Sequence, residues 1–137
     1  MVSFKVLAIV ERGADGLYSV YSDDCIGDSY FGGYGNSVEN AKKDFLKSIE
    51  EAIQEQIKEG KEAPGLENIT VEYRYDIPSF FNYFDFINVS RFAEYVGINE
   101  SKMRAYKSGV SYPGEKTTAK IFKAVKEIGE ELCEASF

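Results

Sequence analysis

The chain opens with a two-residue hydrophobic period, changes to a helical period, and returns to alternation before a run of short helices. Phe4-Lys5-Val6-Leu7-Ala8-Ile9-Val10 predicts a strand, apolar on both faces after Lys5 and so expected to be covered on both sides. Gly13-Ala14-Asp15-Gly16 reads as a turn with glycines at positive φ, and Leu17-Tyr18-Ser19-Val20-Tyr21 as the returning strand of an antiparallel hairpin. Residues 22–36, rich in Asp, Ser and Gly, read as a loop enclosing a short third strand around Tyr30-Phe31; Gly32-Gly33-Tyr34-Gly35 matches no phosphate-binding motif and reads as flexible loop.

Ser37 is a suitable N-cap for a helix running to about Gly60. Its apolar stripe is Val38, Ala41, Phe45, Ile49, Ala52, Ile53 and Ile57, and Lys42, Lys43, Lys47, Glu50, Glu51, Glu55 and Lys58 fill the opposite face. Pro64-Gly65 ends that region. Ile69-Thr70-Val71-Glu72-Tyr73-Arg74-Tyr75 then alternates with apolar residues at odd numbers, a half-exposed strand. The order is β-β-β-α-β, and the fold class expected is α+β: a small module over 1–78 followed, past Pro78, by an all-α module over 79–137.

In the second module, Phe80-Phe81-Asn82-Tyr83-Phe84-Asp85-Phe86-Ile87 is the expected first helix of a bundle. Asn88 to Val96 reads as a capped helix closed by Gly97. Asn99 then caps Glu100–Ser108, which Gly109 closes. Ala93, Gly97, Ile98 and Met103 stand at helix-turn-helix spacing. Ala93 permits close helix approach, Gly97 takes the left-handed turn, and Phe92, Val96, Ile98, Met103 and Tyr106 fill the shared core. The outward positions, Glu100, Ser101, Lys102, Arg104, Ala105 and Lys107, suit base edges and phosphates. After Pro113 a last helix carries Ile121, Phe122, Val125, Ile128 and Leu132, with Cys133 on its apolar face as expected core.

Charge sharpens the division. The net charge is −7, and residues 1–78 hold 8 basic against 15 acidic residues, the whole of that excess. Residues 79–137 balance at 8 against 8, and 91–126 hold 8 basic residues against 3 acids, the local sign that phosphate binding needs. With no histidine in 137 residues, Ser-His-Asp and Cys-His triads, HExxH sites and Cys/His zinc sites are excluded. Cys25 and Cys133 form no CxxC and are expected as reduced thiols. No apolar run spans a bilayer and no signal peptide is read at Met1, so a cytoplasmic protein is expected and the Asn68, Asn88 and Asn99 sequons carry no weight.

Two resemblances follow from these residues. Phe92-Ala93-x3-Gly97-Ile98-x4-Met103-x2-Tyr106-x2-Gly109, with Lys120-Ile121-x2-Ala124, resembles the Cro/phage-repressor (XRE) type of helix-turn-helix domain. Ala8-Ile9-Val10-Glu11-x4-Gly16-Leu17-Tyr18-Ser19-Val20 and Asn36-Ser37-Val38-Glu39-Asn40-Ala41 resemble the HicB antitoxin fold, a degenerate RNase-H-like unit often joined to such a DNA-binding tail. Ser22-Asp23-Asp24-Cys25-Ile26-Gly27-Asp28 departs from that family's Pro-Asp-x-Pro-Gly-Cys-like run. The resemblance implies a dimeric or higher-order regulator that binds double-stranded DNA through the 100–107 helix and controls its own operon. The first module would serve dimerisation or a partner such as a HicA-type toxin. Neither catalysis, metal nor cofactor is expected. Two other classes stay open: a protein-interaction module that binds no DNA, and a metal-dependent nuclease using Glu11, Asp23, Asp24 and Asp28.

Overall fold

A computed structural model describes residues 4–23 and 30–137. Cys25 and the carboxylates Asp24 and Asp28 therefore lie outside the described residues. The fold is α+β, with four strands in one mixed sheet and five α-helices among the described residues. The chain divides into two compact units, residues 1–83 and 84–137.

In the first unit, β1 (Phe4–Arg12) and β2 (Tyr18–Ser22) form the hairpin, with Val10 opposite Val20. Gly16 takes the positive φ of the turn (+84°), while Gly13 bonds across it, its N–H 2.7 Å from the Leu17 carbonyl. β3 (Gly32–Gly35) pairs antiparallel with β2, and β4 (Ile69–Tyr75) pairs parallel with β1, so the sheet order is β3-β2-β1-β4. Strand β3 is thus the glycine run itself rather than Tyr30-Phe31, a correction to the loop expected there. Its physical reason is close approach. A Cβ on Gly33 would stand 2.3 Å from the Phe45 amide nitrogen and 2.7 Å from the Ala41 carbonyl oxygen, both backbone atoms of helix α1 (Val38–Lys58).

Helix α1 starts where the sequence placed it, with the Ser37 hydroxyl accepting from the Asn40 N–H at 3.1 Å. Its stripe of Val38, Ala41, Phe45, Ile49 and Ile53 lies on the face formed by Val6, Ala8, Val10, Tyr18 and Val20, and together these make the core. The stripe stops short of Ile57, which is 55% exposed. β1 is buried on this face alone. Leu7 and Ile9, on the other face, are only half-buried, so the expected double cover is not found. A single layer of helix buries one side of a sheet.

Helix α2 (Ile77–Tyr83) packs against β1, β4 and α1 in this unit, so the aromatic stretch is not the first helix of the second unit. Asp76 explains its start. One carboxylate oxygen accepts from the Ser79 N–H at 2.9 Å and the other from the Arg12 N–H at 3.0 Å, which pins the helix end to β1. Pro78 sits in the first turn, where a missing N–H costs no hydrogen bond. Asn82 then accepts from the Val38 N–H at 2.9 Å, satisfying a free donor at the α1 N-terminus.

The second unit holds α3 (Val89–Val96), α4 (Glu100–Ser108) and α5 (Glu115–Glu134). Val89, Phe92, Ala93, Val96, Met103, Ile121 and Ala124 are its buried apolar residues. Cys133 is exposed, against the expectation of core, and so are Phe122 and Leu132.

Candidate nucleic-acid interface

The turn between α3 and α4 is built from three local devices. Asn88 caps α3, its side-chain oxygen accepting from the Arg91 N–H at 3.0 Å. Gly97 ends that helix at φ +83°, and the N–H groups of Gly97 and Ile98 both reach the Ala93 carbonyl at 2.9 Å, a glycine-terminated cap. Asn99 then caps α4, accepting from the N–H groups of Ser101 (2.9 Å) and Lys102 (3.3 Å). From α5, Lys120 donates to the Gly97 carbonyl at 3.2 Å and fastens the corner. Met103, fully buried, holds α4 in place, and Ala93 at 1% exposure is the small residue at the contact.

The six residues expected at the surface of α4 fall into three groups. Ser101, Lys102 and Lys107 are exposed, and their side chains make no hydrogen bond or ion pair among the described residues. Ala105 is half-buried, and its carbonyl closes the helix by accepting from the N–H groups of Gly109 and Val110. Glu100 and Arg104 hold each other at 2.9 Å. Arg104 also donates to the Ser90 hydroxyl at 3.0 Å, and Ser90 donates to the same Glu100 oxygen. These hydrogen bonds, Ser90 first and Arg104 second, hold the Glu100 carboxyl below the usual carboxylate range. Ser90 was missing from the sequence reading, although the i,i+4 spacing of Glu100 and Arg104 was a visible signal of their pairing. The triad joins the first turn of α3 to α4. It gives Arg104 a role in setting the angle of the second helix, in addition to any contact outward.

A second cluster, on the first unit, was not anticipated. Lys42, assigned by pattern to the solvated face of α1, is half-buried. Its ammonium lies 3.4 Å from the ring centroid of Tyr83, 4.1 Å from that of Tyr73 and 4.9 Å from that of Tyr75, and donates to the Tyr75 hydroxyl at 2.5 Å. The tyrosines at odd positions of β4 face α1, which is the signal that could have found it. Burial pushes the Lys42 amine down to about 8 and pushes the Tyr73 and Tyr75 phenols up, while the ring faces act against burial by favouring the cation. The unfolded amine keeps its proton to about 10.5, so between about 8 and 10.5 the unfolded state binds more protons and stability rises with pH. Resonances of the Lys42 ε-methylene are expected to titrate near 8, and Lys42→Met to flatten the rise. An ε-methylene that titrates at 10.5 would show a solvated amine.

Among the described residues no group of three His, Cys, Asp or Glu side chains is placed to hold a metal ion. Glu11 accepts from the Tyr21 hydroxyl at 3.0 Å. Among the same residues, no helix is long and apolar enough to cross a membrane. Compared with family models, with curated proteins and with solved structures, the chain finds no match.

Proposed function

We propose that the chain is a sequence-specific DNA-binding regulator of the HicB antitoxin-like kind, with an XRE-type helix-turn-helix domain following a HicB-like β-β-β-α-β domain. The observation that carries this reading is the corner at Gly97. Two capped helices meet across a left-handed glycine, and the second presents Ser101, Lys102 and Lys107 to solvent with no internal partner among the described residues. The excess of base over acid between residues 91 and 126 supplies the sign that a phosphate backbone attracts. In this reading Lys102 and Lys107 meet phosphates and Ser101 meets a base edge. Arg104, held by Glu100 and Ser90, sets the pitch of the helix and reaches DNA by exchanging those partners. The first unit serves self-association or a protein partner such as a HicA-type toxin, and the target is the promoter of the chain's own operon in the cytoplasm.

The test is binding of a labelled duplex from immediately upstream of the gene, followed by anisotropy at two salt concentrations against scrambled competitor. Competitor-resistant binding that weakens with salt is the expected result. Lys102→Ala and Lys107→Ala should each weaken binding evenly across sequences and lower the salt slope by about one. Arg104→Ala should cost about 1–3 kcal/mol if the guanidinium reads a base. Absence of specific binding to any genomic fragment would overturn the reading and turn the search to a protein partner.

A further inference from the structure

Helix α5 carries a second apolar stripe beside the one that enters the core. Thr118, Phe122, Val125, Gly129 and Leu132 recur at alternating steps of four and three residues, the spacing of a helix-pairing seam. Phe122 is 61% and Leu132 67% exposed, and Val125 is half-buried. Gly129, in the middle of this stripe, has no local reason to be glycine. Its φ is not positive, and a Cβ there would meet nothing within 4 Å among the described residues. Glycine in a helix interior is destabilising, so a position that gains nothing from it among the described residues points to a close approach from outside.

Charge selects the visitor. Between residues 116 and 126 the helix carries Lys116, Lys120, Lys123 and Lys126 and no acid. Between 127 and 134 it carries Glu127, Glu130, Glu131 and Glu134 and no base. The complement of such a surface is the same helix running the other way. Centred between Val125 and Lys126, an antiparallel copy sets Phe122 level with Gly129 and Thr118 within one residue of Leu132. It also brings the lysine half of each helix to the height of the glutamate half of the other, well within a Debye length. A parallel copy would oppose like charges along the whole length.

We propose that two copies of this chain pair through α5 in antiparallel orientation, each Phe122 ring seated in the gap over Gly129 of the second copy. The pairing does not rest on the DNA reading and is tested without DNA.

Sedimentation equilibrium across the micromolar range is expected to show a reversible monomer–dimer equilibrium. Phe122→Ser and Gly129→Gln should each raise the dissociation constant about tenfold or more. Gly129→Gln is the sharper of the two, because it improves helix propensity while filling the gap. Weakened association with equal or greater helicity by circular dichroism cannot come from misfolding. Orientation is read by oxidation in a Cys25→Ser background. With a 1.5 Å rise per residue, antiparallel copies hold their Cys133 residues about 23 Å apart, too far for a bond. Thr118→Cys instead stands level with Cys133 of the second copy and should cross-link. A monomer at all concentrations, a dimer indifferent to both substitutions, or a dimer that cross-links through Cys133 alone would each overturn the proposal.

Discussion

Gly33→Val is expected to unfold the first unit, whereas Gly32→Val, one residue earlier on the same strand, is expected to leave it folded. The contrast comes from which face of β3 each residue occupies. Gly33 pairs with Val20 and so shares the face on which α1 lies. Its missing Cβ is the space through which the helix backbone passes, 2.3 Å from the Phe45 nitrogen and 2.7 Å from the Ala41 carbonyl. Real Cβ contacts do not approach that closely, and a helix backbone cannot rotate away as a side chain can. Either α1 lifts from β3 and opens the packing of Ala41, Phe45 and Ile49 on Val20, or the strand detaches. Overpacking in a core usually costs about 1–3 kcal/mol, and a clash with several backbone atoms of one helix belongs at or above the top of that range. Small domains have few kcal/mol to lose. At Gly32 the nearest heavy atom to an added Cβ is the Val20 carbonyl oxygen at 3.7 Å, ordinary contact, and valine favours strand. Urea melts followed by circular dichroism decide it, and equal midpoints for the two variants would show that α1 does not rest on β3.

That same strand marks the limit of what pattern reveals. Hairpin, long helix and last strand were legible because each announces itself by a period in hydrophobicity and by a cap: Val10 opposite Val20, Ser37 before Val38, alternation from Ile69 to Tyr75. β3 has no hydrophobic period at all, since Gly32-Gly33-Tyr34-Gly35 forms a strand for what the residues lack. Helix α2 was read as part of the second unit because Pro78 resembles a boundary, and only the Asp76 bonds to Ser79 and Arg12 reveal it as a first turn fixed to the sheet. In the candidate interface the corner was legible residue by residue, because Asn88, Gly97 and Asn99 act through their own neighbours. The partners of Arg104 and Lys42 were less so. One depends on Ser90, fourteen residues away, and the other on rings contributed by β4 and α2. Local chemistry is written in local sequence, and a side chain's long-range partners are not.

Met103→Ala is expected to release α4 from the second unit and, on the DNA-binding function proposed above, to abolish binding with it, although residue 103 is fully buried. Met103 is completely buried and is the residue through which α4 enters the core, whereas Glu100, Ser101, Lys102, Arg104 and Lys107 are exposed. Truncating a buried methionine to alanine costs about 2–5 kcal/mol, the range reflecting how far the surroundings collapse into the space. A unit of this size buries too little surface to absorb the upper part of that range. Besides Met103, α4 is attached by its link through Gly97 to Asn99, by the half-buried Ala105 and Tyr106, and by the surface triad of Ser90, Glu100 and Arg104, and exposed ion pairs contribute little. Amides of α4 should therefore lose hydrogen-exchange protection while those of β1 and β2 keep theirs, and affinity for promoter DNA should fall as temperature rises through the weakened transition. Met103→Leu conserves volume and should cost less than about 1.5 kcal/mol, with binding retained. Should Met103→Ala leave α4 protected and DNA affinity unchanged, the helix would be held by something other than this side chain, and the link drawn between the core and the exposed lysines would fail.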